Sequence, residues 1–353
     1  MNKVIKLKNK FIGDGRPVYI IAEMSANHGG DFNRAKEIIH AAKEAGADCI
    51  KVQTYTADTI TIDCDKEYFQ IKKGTWAGEN LYKLYQKAYT PWQWQAELKS
   101  EAERIGIDFL STPFDKTAVD FLEDIGLEFY KIASFEVIDI PLIKYVASKG
   151  KPIIMSTGMA TLKEIKEAVN VIKGQGNNNL CLLKCSSAYP AIPDDMNLKT
   201  INNLKEIFNI PIGLSDHSMG FIGAVTAVAL GAKVIEKHFC LSREIKTPDS
   251  SFSMEPDEFK EMVKNIRLAE RAIGKVNYDI SPNEEVSRKH RKSIFIVKDI
   301  KKGEKFTEEN IRVIRPAQGL LPKYYDDILG KYASMDIERG TPLDWDMILN
   351  NNQ

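Results

Sequence analysis

Residues 212–238 read IGLSDHSMGFIGAVTAVALGAKVIEKH. The stretch opens on an apolar run, 212–214, that closes in three polar residues, Ser215, Asp216 and His217. An apolar segment of helical length, 220–230, follows, and Gly231 stands where a left-handed C-cap is expected. A second β-branched run, 234–235, then ends in Glu236, Lys237 and His238. Strand, helix and strand in succession, with continuously apolar strands, form the unit of a parallel sheet covered on both faces. The unit recurs back along the chain. Runs at 18–22, 49–52, 109–110, 129–133, 153–155 and 180–183 bring the count to eight, separated by amphipathic segments such as 33–45, 90–105, 116–125 and 161–173. Gly46, Gly106 and Gly126 close three of these segments as Gly231 closes its own. Eight units over roughly 250 residues predict an α/β TIM (β/α)8 barrel. A doubly wound sheet is the alternative, but neither G-x-G-x-x-G nor G-x-x-x-x-G-K-[ST] occurs.

The second connection, residues 55–94, exceeds what a βα loop needs and carries Tyr68, Phe69, Trp76, Tyr82, Tyr85, Tyr89, Trp92 and Trp94. An insertion over a barrel mouth shapes a substrate pocket. Tyr82, Tyr85 and Tyr89 share one helix face and read as local packing. Past a helix at 256–273 the alternation stops. Residues 277–292 are polar and charged and read as a linker. From Ser293 onward come short β-like runs, 294–297 and 311–314, with turns at 302–303 and 339–340. The expected organisation is therefore a barrel over 1–276, a linker over 277–292 and a small β-rich domain over 293–353.

At 353 residues the chain can bury about three quarters of its surface, so its core needs no covalent staples. Lys plus Arg equals Asp plus Glu at 49 each, which argues against a broad basic surface and hence against a nucleic-acid partner. The five cysteines are odd in number and irregularly spaced, as expected of buried thiols in a reducing cytosol. No signal-peptide core and no run of eighteen apolar residues occurs, so a cytoplasmic protein with no membrane partner is expected.

Barrel chemistry gathers at the C-terminal strand ends. There the sequence places Glu23; Lys51 and Gln53; Ser111 and Thr112; Lys131, Ser134 and Glu136; Ser156 and Thr157; Lys184, Ser186 and Ser187; Ser215, Asp216 and His217; Glu236, Lys237 and His238. Ammonium groups and short hydroxyls converging on one mouth suit a phosphate and a carboxylate, through charge-assisted hydrogen bonds. A salt-bridging rim is the plainer account of the lysines. His217 and His238 end adjacent strands, and with Glu23, Asp216 or Glu236 they could hold a divalent metal with positions open to substrate. A hydrogen-bonded imidazole pair is the rival.

These strand ends resemble the sialic acid synthase family. The matching stretches are IAEMSANHGG (21–30), KVQTY (51–55), STPFD (111–115), YKIASFE (130–136), MSTGMAT (155–161), GLSDHSMG (213–220) and VIEKHF (234–239). KDIKKGEKFTEENIRVIRPAQG (298–319) and GKYASMDIERGTPL (330–343) look like the antifreeze-like SAF domain that ends these synthases. The resemblance implies condensation of phosphoenolpyruvate with an N-acetylated amino sugar. It makes His217 and His238 ligands of Mn2+ or Mg2+, and puts Glu23 and Asp216 with them as catalytic groups. Lys51, Thr112, Lys131, Ser134, Ser156 and Ser215 fall at phosphoenolpyruvate positions, with Glu136 also on the substrate side. Gln53, Tyr189 and Asp249 fall at sugar positions. Arg315 matches an SAF arginine that reaches the partner's barrel in a domain-swapped homodimer.

Ser187 departs from the pattern, since sialic acid members carry Asn there. GTWAGENLYKLYQKAYTPWQW (74–94) and KVQTYTADT (51–59) look more like the pseudaminic acid branch, which uses a 6-deoxy diacetamido sugar and implies surface-glycan or flagellin decoration. An aromatic insertion is a sensible wall for the methyl of such a sugar. The implied chemistry is attack of the phosphoenolpyruvate methylene on a metal-polarised aldehyde, addition of water at C2, and loss of phosphate by C–O cleavage. A mannose-type sugar, giving N-acetylneuraminic or legionaminic acid, is the nearer alternative. A Schiff-base aldolase working through Lys184 or Lys131 is a more distant one. A non-enzymatic ice- or sugar-binding protein is the third.

Overall fold

An antiparallel hairpin, β1 (Val4–Lys6) and β2 (Phe11–Gly13), precedes everything the apolar runs announced. It is too short and too alternating to stand out beside the continuous strands. The computed structural model describes residues 1–8 and 10–349. The last four residues of the expected C-terminal domain lie outside that range. Two compact units result, Met1–Gly274 and Lys275–Gln353.

The first unit is the eight-stranded barrel. Its strands are β3 (Tyr19–Glu23), β4 (Cys49–Thr54), β5 (Asp108–Pro113), β6 (Tyr130–Ile132), β7 (Ile153–Ser156), β8 (Leu180–Cys185), β9 (Ile212–Asp216) and β10 (Val234–His238). All neighbours pair in parallel, and β10 closes the ring by pairing with both β9 and β3. Side chains alternate faces along a strand, so one interior residue assigns every other. Tyr19 and Ile21, Cys49, Leu110, Phe129, Ile154, Cys181 and Leu183, and Val234 form one buried interior cluster. Ile5, Leu7 and Ile12 of the hairpin join it, which plugs the end of the barrel where the strands begin. The strands' other faces pack on the helices. In Phe32–Glu44, for example, Ala35, Ile38, Ile39 and Ala42 are buried at helical spacing, and Asp31 caps the helix by accepting from the Asn33 and Arg34 amides.

In the second unit β11 (Ser293–Ile296) pairs antiparallel with β12 (Ile311–Ile314) over a core that includes Ile294, Ile296, Phe306, Ile328 and Leu343. The expected linker contains a helix, Pro282–Arg288, started by a capping box between Ser281 and Glu284. No residue of that helix is buried, so its sequence carries no apolar period to read. No helix among the described residues is long and apolar enough to cross a membrane.

Candidate active site

Alternation carries the interior face from the apolar layer to the barrel mouth. The interior side chains nearest the C-terminal ends are Glu23, Lys51 and Gln53, Thr112, Lys131, Ser156, Cys185, Ser215, Glu236 and, beyond β9 and at the end of β10, His217 and His238. Strand register sets them beside one another: His238 is level with Glu23, Glu23 with Lys51, and Ser215 with both Glu236 and Cys185.

The charged centre is a chain of four groups. Lys51 Nζ lies 2.7 Å from Glu23 Oε2 and 3.7 Å from Glu236 Oε1, and Lys131 Nζ lies 3.7 Å from the same Glu236 oxygen. Hydroxyls complete it. Ser156 Oγ accepts from Lys131 at 2.7 Å, Thr112 Oγ1 accepts from Lys51 at 3.4 Å, and Ser215 Oγ donates to Glu236 at 3.2 Å. Gln53 Nε2 donates to Glu23 at 2.9 Å and to Ser25 Oγ at 3.0 Å. All four charged groups are buried, and their charged neighbours drive the proton affinities of the two carboxylates apart. Burial and the nearby Glu236 charge raise Glu23 above the usual carboxylate range, in spite of Lys51. Burial also opposes ionisation of Glu236, but Lys131, Lys51 and His217 outweigh it and hold that carboxylate low. Two carboxylates pushed in opposite directions are a pattern of acid–base sites.

A hydroxyl corner adjoins Lys131. Ser134 Oγ accepts from the Gly158 amide at 3.0 Å, and Ser187 Oγ lies 3.6 Å from Cys185 Sγ. A methyl group on Gly158 would overlap Ser187 Oγ and lie 2.9 Å from Ser134 Oγ, so only glycine lets these groups meet. Glu136 has a buried carboxylate oxygen with no partner, and burial pushes it up to about 7.

Above this floor stand the imidazoles, 5.4 Å apart between ring centres. His217 Nδ1 lies 3.0 Å from the Ser186 carbonyl, which can only accept, so Nδ1 carries the proton and Nε2 the free lone pair. His238 is kept neutral by burial and by the charge of His217 and the lysines. Its Nδ1 is buried without a hydrogen-bond partner, 4.0 Å from Asp249 Oδ2. Two adjacent imidazoles in a dry site, His238 held neutral and His217 with Nε2 as its open nitrogen, fit a divalent ion. Among the described residues no group of three or more His, Cys, Asp or Glu side chains converges as a metal cage, so the pair leaves most of a coordination shell to water or substrate. Tyr189 lies over His217 at 4.3 Å and Phe252 meets His238 edge-on at 5.0 Å.

Residues 38–278, well over half of the chain, match the NeuB family, and residues 291–349 match the SAF domain. The chain belongs to the NeuB family. The pseudaminic acid synthase of Campylobacter jejuni strain 81-176 is 49% identical, over 93% of this chain and 96% of its own length. An N,N'-diacetyllegionaminic acid synthase of Campylobacter jejuni strain NCTC 11168 is 41% identical, over 89% of this chain and 95% of its own. Among solved structures, the N-acetylneuraminic acid (sialic acid) synthetase of Leptospira borgpetersenii superposes with a TM-score of 0.73 at 34% identity, covering 81% of this chain and 95% of that one. This chain is thus a sialic-acid-type synthase of TIM-barrel and SAF construction.

Within this NeuB barrel not every strand-end residue reaches the mouth. Asp216, expected among the catalytic groups, faces outward: it pairs with Lys237 at 2.8 Å, and its other oxygen accepts from the Ser218 amide and hydroxyl at 2.9 and 2.7 Å. Lys184 also points away, donating to the Cys185 carbonyl at 2.9 Å, and Ser111 bonds Thr54 behind the sheet. Arg315 belongs to the second unit, where it lines an open cavity of about 610 Å³ with Glu285, Arg288, Lys289, Arg291 and Lys292. Conversely, Cys185 and Phe252 were not singled out as site residues from sequence, and Glu236 was read there only as a possible metal ligand, not as the carboxylate between the two lysines. For Glu236 and Cys185 the signal was present: Glu236 shares its face with His238 two residues on, and Cys185 is two residues past the interior Leu183.

Proposed function

We propose that the chain condenses phosphoenolpyruvate with 2,4-diacetamido-2,4,6-trideoxy-altrose and water to give pseudaminic acid and phosphate, assisted by Mn2+ or Mg2+. The observation that carries this reading is the buried Lys51–Glu236–Lys131 centre with its ring of hydroxyls, directly beneath the two imidazoles. Phosphoenolpyruvate brings a carboxylate and a phosphate, and two ammonium groups sharing one carboxylate can each turn to an entering anion. Ser134, Ser156, Ser215, Thr112 and the Gly158 amide add neutral donors that hold without a net charge. His217 and His238 would hold the metal, which supplies Lewis-acid polarisation of the sugar's aldehyde oxygen.

Held above the lysines, the methylene carbon of phosphoenolpyruvate forms the new bond to the aldehyde carbon, and positive charge develops at C2. Glu236, ionised and central, stabilises that charge. Glu23, whose proton affinity burial has raised, is suited to take a proton from the water that adds at C2, with Gln53 fixing its carboxylate. The C–O bond to phosphate then breaks with Lys131 and the serines on the departing oxygens, leaving the 2-keto acid. Tyr189, Phe252 and Trp76 exclude bulk water.

The test is phosphate release from phosphoenolpyruvate over a sugar panel: the 6-deoxy-diacetamido altrose, its mannose-type counterpart and N-acetylmannosamine. Release with the altrose sugar alone, lost on metal removal and restored by Mn2+, is the expected result. Preference for a mannose-type sugar would move the chain to the legionaminic or neuraminic alternative. Activity that survives chelation and is trapped by borohydride would indicate a Schiff-base enzyme. Lys131 is then the candidate amine, because Lys184 faces away.

A domain-swapped homodimer belongs to the same proposal. Phe135, Ile138, Met159, Ile192, Met219 and Ile222, on the consecutive loops after β6 to β9, are between 53% and 73% exposed. An arc of large apolar side chains along the rim supports a covering partner, and Arg315 is the residue a partner's SAF domain would bring. Mixing an Arg315→Ala chain with a His217→Ala chain is expected to restore part of the activity that each lacks alone. Confirmed mixed dimers without activity would exclude the swapped arrangement.

A further inference from the structure

Within the insertion after β4, the stretch 72–78 is solvent-facing except for one side chain, which turns toward the mouth. Gln70 bridges Asn80, the Ile71 amide donates to the Glu79 carbonyl at 2.9 Å, and the Gly78 amide donates to the Ile71 carbonyl at 2.8 Å. These bonds fold residues 70–80 into a narrow hairpin. Gly74 and Gly78 take the positive φ values, +87° and +92°, that its tip requires. Of residues 72–78 only Trp76 is not exposed.

Three contacts aim the indole inward. Trp76 Nε1 donates to the Pro248 carbonyl at 2.9 Å, and its ring lies 5.4 Å from Tyr189 and 6.2 Å from Phe252. The neighbouring Thr75 hydroxyl donates to the Tyr189 carbonyl. Tyr189 and Phe252 are in turn the rings that contact His217 and His238. The order from the floor outward is therefore carboxylates and lysines, imidazoles, two rings, then Trp76. An open-chain hexose whose aldehyde lies at the imidazoles has its opposite end, carbon 6, one aromatic layer further out.

We propose that Trp76 is the specificity-determining residue for carbon 6, an apolar end-wall that accepts a methyl group and disfavours a hydroxymethyl group. The inference rests on the proposed synthase reading of the barrel. The physical basis is that indole and phenyl faces gain from burying a methyl, whereas a hydroxyl there loses its water. The only polar donor of the indole is already committed to Pro248, so it offers the hydroxyl no replacement hydrogen bond. Discrimination by an apolar wall is modest, about 10- to 100-fold.

The experiment compares kcat/KM for the 6-deoxy-diacetamido sugar and for the same sugar bearing a 6-hydroxyl, with manganese-loaded wild type, Trp76→Ala and Trp76→Phe. Wild type should prefer the 6-deoxy sugar. Trp76→Ala should bring the ratio close to one, mainly through a higher KM for the 6-deoxy sugar, while KM for phosphoenolpyruvate stays within about twofold. Trp76→Phe, which keeps an apolar face, should retain part of the preference. Equal losses on both sugars, with the ratio unchanged, would reduce Trp76 to a structural strap and overturn the inference, as would a wild type indifferent to the 6-hydroxyl. Both results leave the synthase reading standing. Wild type inactive with either sugar would remove the reading itself.

Discussion

Glu236→Gln is expected to lower the thermal midpoint of the metal-free barrel by about 6–12 °C, and added phosphate or phosphoenolpyruvate should restore much of the loss. The substitution leaves two buried ammonium groups that had shared one carboxylate at 3.7 Å each. Breaking a buried pair from one side costs about 3 kcal/mol or more, and about 2–4 °C of midpoint accompanies each kcal/mol at this size. Lys51 keeps Glu23, so Lys131 is the more stranded of the two. The pH dependence has a definite sign. Lys131 and Lys51 hold Glu236 below the carboxylate range against the push of burial. Its contribution is therefore present at neutral pH and is lost as pH falls through and below that range, so wild type and variant should converge on acidification. Asp216→Asn is the control. It breaks the equally buried Asp216–Lys237 pair on the outer face, so it should also destabilise, but no anion should rescue it. Rescue of both, or of neither, would mean that the Lys51–Lys131 centre is not the anion site. Turnover by Glu236→Gln should fall by at least about 100-fold, as for removal of one preorganised electrostatic group.

The contrast between Glu236 and Asp216 shows where sequence reading reaches and where it stops. The eight apolar runs and their glycine caps were legible because continuous burial on both faces leaves no polar positions to confuse the period. The β1–β2 hairpin and the helix Pro282–Arg288 were not, since three-residue strands and a fully exposed helix carry no such signal. Lys51, Lys131, Thr112, Ser156 and Ser215 were found by strand-end position and do converge. Position alone, however, treats neighbouring residues alike, and strands do not: Asp216 and Lys237 face outward between Ser215, His217, Glu236 and His238, which face inward. Counting by two from the interior Val234 assigns Lys237 outward, and counting by two from the helix-facing Leu214 does the same for Asp216. Phe252 and the inward turn of Trp76 lie in loops whose course depends on contacts distant in sequence, such as the bond from Trp76 to Pro248, and no local pattern encodes those.

His238→Ala is expected to reduce kcat by about 1000-fold or more, the scale of losing a principal electrostatic stabiliser, while leaving the metal-free thermal midpoint within about 2 °C. The second half is the informative one, because truncating a buried side chain ordinarily costs stability through the cavity it leaves. Here the imidazole already carries a penalty. Its Nδ1 is buried with no hydrogen-bond partner, a deficit of about 1–3 kcal/mol, and burial together with the charges of His217, Lys51, Lys237 and Lys131 keeps it neutral. Removing the ring relieves that penalty as it opens the cavity, and the two effects oppose each other. In wild type, Mn2+ should raise the midpoint, because an ion that binds the folded form alone stabilises it by mass action. In His238→Ala that rise should disappear. A hydrogen-bonded imidazole pair serving the fold would behave in the opposite way: the variant would unfold many degrees earlier without metal, and Mn2+ would shift wild type and variant alike. His217 supplies the complementary case. Its Nδ1 is satisfied by the Ser186 carbonyl, so His217→Ala strands that acceptor and should lose both activity and metal-free stability. Two variants that share a loss of turnover but differ in metal-free midpoint would separate the imidazole held by the fold from the one the fold leaves free.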